Sequence, residues 1–119
     1  MLNNIEIEIY VDEKGETDLF DDMSNNDQSK FIKKNEDFQK FTLPQLLKAN
    51  HVRSIKGRAN KGFFEIRYLF TSPPYRAISI IHKNLLVILV LFKGSGSGGK
   101  LEKHIKKAKT RADYWKLRN

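Results

Sequence analysis

The sequence contains no cysteine and only three histidines, and these shortages limit the chemistry open to it. Without cysteine, neither disulfide bonds nor thiolate catalysis can occur. The histidines, at positions 51, 82 and 104, do not have the spacing of metal ligands. The sequence also lacks the GxxxxGK(S/T) phosphate loop, the GxSxG nucleophile turn and the HExxH zinc motif. We therefore expect no metal and no cofactor.

Long apolar segments are missing as well. The longest apolar run, residues 85–92, is far too short to span a bilayer. The first residues have neither the basic start nor the apolar core of a signal peptide. A length of 119 residues is typical of one domain. We therefore expect a single domain over residues 1–119, in the cytoplasm and without a membrane partner.

Charge is abundant and unevenly distributed along the chain. The net charge is +8, but residues 1–27 hold nine acidic side chains and one basic, a net of −8. Residues 28–119 hold twenty-one basic and five acidic side chains, a net of +16. A surface this basic attracts polyanions, which favours a nucleic-acid partner over a merely solvated lysine-rich surface. The acidic stretch either shields the basic face or forms a solvated helix, and we favour the helix.

Periodicity describes the first half of the chain only in outline. Alternating isoleucines in residues 5–9 are typical of a half-buried strand. Residues 16–50 are polar with intermittent apolar positions, which predicts one or two helices. We expect breaks near residues 25–26 and at Pro44. Residues 51–61 have the composition of a basic loop.

The pattern is clearer in the second half. Residues 63–70, 75–82 and 85–92 predict a meander of three antiparallel strands, the last of them inside the sheet. A flexible glycine–serine loop at 94–99 and a helix over 100–117 follow. The expected fold is therefore α+β, a small antiparallel sheet of the N-terminal strand and the meander, with N-terminal helices and a C-terminal helix.

The predicted meander brings three cations to one face of the sheet, if residue 70 pairs with residue 75 and residue 82 with residue 85. These cations are Arg67, Arg76 and Lys93. Clustered cations repel one another unless an anion such as a phosphate lies among them. The alternative is that Glu65 neutralises Arg67 in a structural pair while Arg76 faces water.

Two further basic stretches are candidate RNA-binding surfaces. The loop before the meander and one flank of the final helix both carry cations, and the helix adds a tyrosine able to stack on a base. The candidates are Lys56, Arg58 and Lys61 in the loop and His104, Lys107, Arg111 and Tyr114 on the helix, with Lys100 and Arg118 on the same flank. The alternative is a hydrophilic connection and a solvated helix face. Trp115 continues the apolar stripe, so we expect it in the core.

Residues 61–67, KGFFEIR, resemble a strand motif of RelE/HigB-type toxins, in particular of a phage-related subgroup of the RelE/ParE superfamily. The resemblance continues at Tyr75-Arg76, at Phe92-Lys93 and in a lysine-rich helix with regularly spaced alanines at 105–112. It covers about half of the chain, from roughly residue 51 to residue 115. Each motif is weak alone, and their order and spacing carry the likeness.

This resemblance implies a RelE-like fold and the toxin of a type II toxin–antitoxin system. Such a toxin is a metal-independent endoribonuclease that usually cuts mRNA on the ribosome, where the RNA 2′-hydroxyl attacks the adjacent phosphate. Carried over, Arg67 and Arg76 bind and stabilise the phosphate and Lys93 is a third cation. The general base stays open among His51, His104 and Tyr114. A cognate antitoxin, forming a hetero-oligomer, is the expected protein partner.

Two features depart from the family pattern. The loop after the last strand is usually polar and often carries lysine, whereas here it is GSGSGG, and the acidic N-terminal stretch has no counterpart. Alternatives are a non-catalytic protein of the same fold that binds nucleic acid or a partner, and a gyrase poison. A structural phage or plasmid protein is the least favoured, because it leaves the basic charge unexplained.

Overall fold

The computed structural model describes residues 3–94 and 99–119, with residues 99 and 100 as backbone only. Most of the predicted glycine–serine loop, residues 95–98, therefore lies outside the described residues. In chain order the elements are β1 (Glu6–Ile9), α1 (Asn25–Phe38), α2 (Leu43–Lys48), β2 (Val52–Ser54), a short 3-10 helix (Arg58–Asn60), β3 (Phe63–Tyr68), β4 (Tyr75–His82), β5 (Leu85–Lys93) and α3 (Gly99–Arg118).

The five strands form one mixed sheet in the order β1-β5-β4-β3-β2. The predicted meander of β3, β4 and β5 is confirmed, and so is the strand at β1. The prediction of an all-antiparallel sheet is wrong, because β1 pairs parallel with β5. A further difference is β2, an edge strand in the stretch predicted to be a loop, which is too short to show a period of two.

Helices cover both faces of the sheet, and the α+β prediction is confirmed. The helices α1 and α2 bury Phe31, Phe38 and Leu46 against one face. The apolar stripe of α3 packs on the other face and includes the predicted core residue Trp115. As expected of an interior strand, β5 is buried along most of its length.

The first helix begins later than the acidic composition suggested. Residues 16–24 are not helical, so the preferred interpretation of the acidic stretch as a solvated helix is wrong. Ser24 caps α1 by accepting a hydrogen bond from the backbone N–H of Asp27, so residues 25–26 start a helix rather than break one. Pro44 likewise lies in the first turn of α2, where its missing N–H costs nothing.

A β-bulge interrupts the pairing of β4 with β5. Ile78 pairs with Val90, whereas the next residue, Ser79, pairs with Ile88. Leu89 therefore has no partner on β4, and the register changes by one residue on either side of it. None of the helices in the described part of the chain is long and apolar enough to cross a membrane.

Candidate nucleic-acid interface

The two arginines that the sequence singles out lie opposite each other in the sheet. Arg67 on β3 pairs directly with Arg76 on β4, and Tyr68 pairs with Tyr75. The predicted pairing of residue 70 with residue 75 is wrong, because residues 69–74 form a longer connection with two prolines. The observed register differs from the predicted one by an even number of residues, which leaves every side chain on its predicted face. The prediction that both arginines share a face is therefore confirmed.

Lys93 does not join them. The predicted pair His82–Leu85 is present, but the bulge shifts the far end of β5, so that Lys93 pairs with Tyr75 and Phe92 with Arg76. Lys93 therefore lies on the opposite face, with its Nζ 5.4 Å from the centre of the Tyr75 ring. The predicted convergence of three cations is wrong for this residue.

Glu65 bridges the two arginines. Arg67 Nε donates to Glu65 Oε1 over 2.8 Å, and Arg76 Nη2 donates to Glu65 Oε2. Burial acts to raise the pKa of Glu65, but the hydrogen bonds from Arg76 and Arg67 outweigh it, and the pKa is lowered. Glu65 is therefore an ionised counter-charge, as the alternative interpretation supposed for Arg67.

The two arginines differ in their access to solvent. The Arg67 side chain is 47% exposed, whereas that of Arg76 is 9% exposed and contacts the Phe92 ring. Arg76 Nε is buried and has no hydrogen-bond partner among the described residues. The alternative in which Arg76 faces water is therefore wrong, and Arg67 is the more accessible of the two arginines.

Arg67 opens into a groove between β2, β3 and the start of α3, which we call the β3 groove. Its volume is about 550 Å³. Its lining comprises Arg53, Ser54, Ile55, Lys56, Asn60, Glu65, Arg67, Leu101, Glu102 and Ile105. Of the predicted loop cations, Lys56 lines the groove, while Arg58 and Lys61 lie exposed nearby. Arg53, opposite Glu65 on β2, was missed because the strand that places it is three residues long.

The predicted cations of α3 form a second, separate surface. Lys107 Nζ and Arg111 Nη2 both donate to Asp18 Oδ2, over 2.8 Å and 2.7 Å. The hydrogen bond from Arg111, with a further one from Lys107, lowers the pKa of Asp18 to about 2. The acidic stretch therefore contacts the predicted RNA-binding flank, as the less favoured interpretation proposed.

The three candidate bases lie outside the β3 groove. His104 stacks on Phe92 with ring centres 3.9 Å apart, and burial, together with Lys107 and Lys103, lowers its pKa, so the imidazole is neutral near pH 7. His51 packs on Phe38, in the helical layer across the sheet. Tyr114 is half exposed near the end of α3. In residues 3–94 and 99–119, no cluster of three His, Asp or Glu side chains has a metal-binding arrangement.

The fold and the groove together define a small α+β domain with arginines gathered on one face of its sheet. No family model matches the chain, and no curated protein does. A solved structure of the E. coli toxin RelE, a double arginine-to-alanine mutant in the free state, is similar at 12% identity and a TM-score of 0.47. The alignment covers 87% of this chain and 96% of that one. This degree of likeness does not place the chain in a family.

Proposed function

We propose that the chain is a toxin that binds mRNA along the β3 groove and cleaves it without a metal, in the cytoplasm and under the control of an antitoxin. The observation that supports this best is the pairing of Arg67 with Arg76, beside a groove that also presents Arg53 and Lys56. A guanidinium held in place, as Arg67 is by Glu65, suits a phosphate, which it can bind through two parallel hydrogen bonds.

Arg67 is the residue proposed to contact the scissile phosphate. Its Nε–H donates a hydrogen bond to Glu65, and among the described residues its terminal Nη–H groups form no hydrogen bond. When the RNA 2′-hydroxyl attacks the adjacent phosphorus, the bond to the 5′ oxygen breaks, which leaves a 2′,3′-cyclic phosphate and a 5′-hydroxyl end. The 2′-hydroxyl proton passes to water and the leaving 5′ oxygen takes a proton from water, while negative charge builds on the phosphate oxygens. A cation already held in place stabilises this charge without reorganising.

Arg76 is assigned a positioning role. It is buried, holds one oxygen of Glu65, and so fixes the carboxylate that holds Arg67. Lys56, Arg58 and Lys61 are proposed to contact the flanking phosphates. Lys93 has no part in the groove because it lies on the other face. Removal of the 2′-hydroxyl proton is assigned to none of the three candidate bases.

The test is cleavage of mRNA by the purified chain with chelator present, on ribosomes and off them. Wild type should give discrete cuts, and Arg67→Ala should lose at least about a hundredfold in rate, as expected for a lost charge-stabilising group. Lys33→Ala, an exposed cation on α1 across the sheet, is the matched control and should cut normally. Equal cleavage by Arg67→Ala and wild type contradicts the proposed role of the groove.

A second function, RNA binding without cleavage, is favoured by one observation. Glu65 already pairs with both arginines and offsets one of their two charges, and Arg76 is nearly buried. In this case wild type binds RNA, no cut is seen under any condition, and binding weakens steeply with salt. The expected protein partner is then one that recognises the bound RNA, rather than an antitoxin.

A further inference from the structure

The acidic segment, residues 12–22, lies along the predicted RNA-binding flank of α3. It holds six acidic side chains and one lysine. It is not helical, and Leu19 anchors it by burial in the core beside α1, where Phe20 also packs edge-on against Phe31. Asp18 points the other way, toward α3. The segment therefore passes around the end of β5 from one helical layer to the other.

The site that Asp18 occupies is built by contacts that do not involve Asp18. Arg111 Nη1 donates to the carbonyl of Leu89 over 2.7 Å, and its guanidinium lies 5.0 Å from the centre of the Tyr10 ring. Its side chain is only 15% exposed. These contacts hold Arg111 with its Nη2 toward Asp18, and Lys107 Nζ donates to the same oxygen, Asp18 Oδ2. Two cationic donors on one oxygen suit a phosphate as well as a carboxylate.

The contact extends beyond this ion pair. A cavity of about 390 Å³ is lined by Asp18, Asp21 and Asp22. The cations Lys93 and Lys107 line the same cavity, together with His104. Further along, Asp12, Glu13 and Glu16 line a cavity with Tyr114 and Arg118. The acidic side chains thus follow the basic flank of α3 over its length, as a bound polyanion does.

A purely structural tether needs fewer charges. Leu19 and Phe20 already fix the segment to the core, and an exposed ion pair adds little to folding stability. Asp21 and Asp22 line the same cavity as Lys93 and Lys107 without forming an ion pair within the described residues. They add negative charge beside these cations without tethering the segment to them.

We propose that Lys107 and Arg111 form a phosphate-binding site for RNA, and that the acidic segment closes it by placing Asp18 where a phosphate would bind. RNA and the segment then compete for the flank. This proposal rests on the RNA-binding part of the proposed function and does not require cleavage. RNA that engages the β3 groove gains a second contact only when the segment is displaced.

The test compares variants for binding of a fluorescent single-stranded RNA and of tripolyphosphate. Asp18→Asn should bind RNA roughly three- to tenfold more tightly than wild type, the range expected for one competing contact of about a kcal/mol. Glu36→Gln, which removes the same charge from α1, is the matched control and should change affinity by less than about twofold. Equal gains in the two variants would show a net-charge effect only and overturn the proposal.

A second pair of variants identifies the site. Lys107→Ala should have little effect in wild type, where Asp18 occupies Lys107, but should abolish the gain when added to Asp18→Asn. A gain that survives Lys107→Ala contradicts the proposed site. The RNA-binding measurements are repeated in the Arg67→Ala background. A gain from Asp18→Asn that persists there belongs to the α3 site and does not depend on cleavage at the β3 groove. If Asp18→Asn binds neither RNA nor tripolyphosphate, the site is refuted; tripolyphosphate binding alone keeps the site and refutes RNA as its ligand.

The wild-type chain gives a test that does not depend on any variant folding. The carboxylate of Asp18 accepts hydrogen bonds from Lys107 and Arg111, and these are the contacts that RNA should replace. The NMR signal of the Asp18 carboxyl carbon should therefore shift when saturating RNA is added. An unchanged Asp18 signal with RNA bound overturns the proposal.

Discussion

Glu65 shows how one carboxylate sets the properties of its neighbours. It lies on the same face as both arginines, its side chain is 14% exposed, and it is the ionised partner of a nearly buried guanidinium. A buried cation that loses its counter-charge is costly, because neither water nor another group replaces it. Glu65 therefore stabilises the fold through Arg76 and orients Arg67 at the same time.

Glu65→Gln should lower the free energy of unfolding by about 2 to 4 kcal/mol, because the amide keeps the shape of the carboxylate but not its charge. Urea unfolding, followed by Trp115 fluorescence, measures the change. Glu102→Gln is the control, since Glu102 lines the same groove but is exposed. If the two variants are equally stable, Arg76 does not depend on Glu65.

The bulge in β5 affects residues of two surfaces, the β3 groove and the basic flank of α3. It moves Lys93 to the face opposite Arg76, and it leaves Leu89 without a partner on β4. The carbonyl of Leu89 accepts the hydrogen bond that holds Arg111. One inserted residue therefore keeps Lys93 off the face of Arg67 and Arg76, and its carbonyl holds Arg111 on the basic flank of α3.

The short helix α2 depends on its first turn. Thr42 accepts from the backbone of Gln45, whose side chain accepts in return from the backbone N–H of Thr42. Thr42→Ala should cost about 0.5 to 1 kcal/mol, since this reciprocal cap satisfies two end groups of the helix. Thr110→Ala, on an exposed site within α3, should be neutral or slightly stabilising. Thermal unfolding of both variants measures the difference, and an equal effect contradicts the role of the cap.

The elements with a long, regular pattern could be predicted from the sequence. The strands β3 to β5 are rich in apolar and aromatic residues and the helix α3 has a clear apolar stripe, while the shared face of Arg67 and Arg76 follows from the pleat. The bulge could not be predicted, because one extra residue inside an apolar run such as 85–92 changes no visible pattern. The contact of Asp18 with α3 could not be predicted either, because Asp18 is separated along the chain by 89 positions from Lys107 and by 93 positions from Arg111.

Charge acts on the molecule as a whole. Protonating the fourteen acidic side chains raises the net charge of +8 steeply and adds repulsion in the compact state.

Hydrogen bonds from Arg111 and Lys107 lower the pKa of Asp18 from 3.8 to about 2. Stability from such a depressed carboxyl is fully present above its unfolded pKa and disappears as the pH falls through the folded one.

The melting temperature should therefore fall as the pH drops from about 4 to about 2. The fall should be smaller in Asp18→Asn than in wild type, because the asparagine has no proton to take up. The difference between the two proteins should be modest, since Asp18 is partly exposed, and added salt should reduce it. Melting curves across this range check the prediction, and parallel curves for the two proteins contradict it.

The parallel pairing of β1 with β5 has a consequence for the order of events during synthesis. The ribosome makes Glu6 long before Leu85, its partner across the sheet, so β1 waits unpaired while most of the chain emerges. Closing so long a loop comes late in folding. Asp18 follows β1 and contacts a helix made later still, so the nascent chain exposes its acidic segment until α3 has emerged. The acidic segment is thus already present when the basic flank of α3 is made.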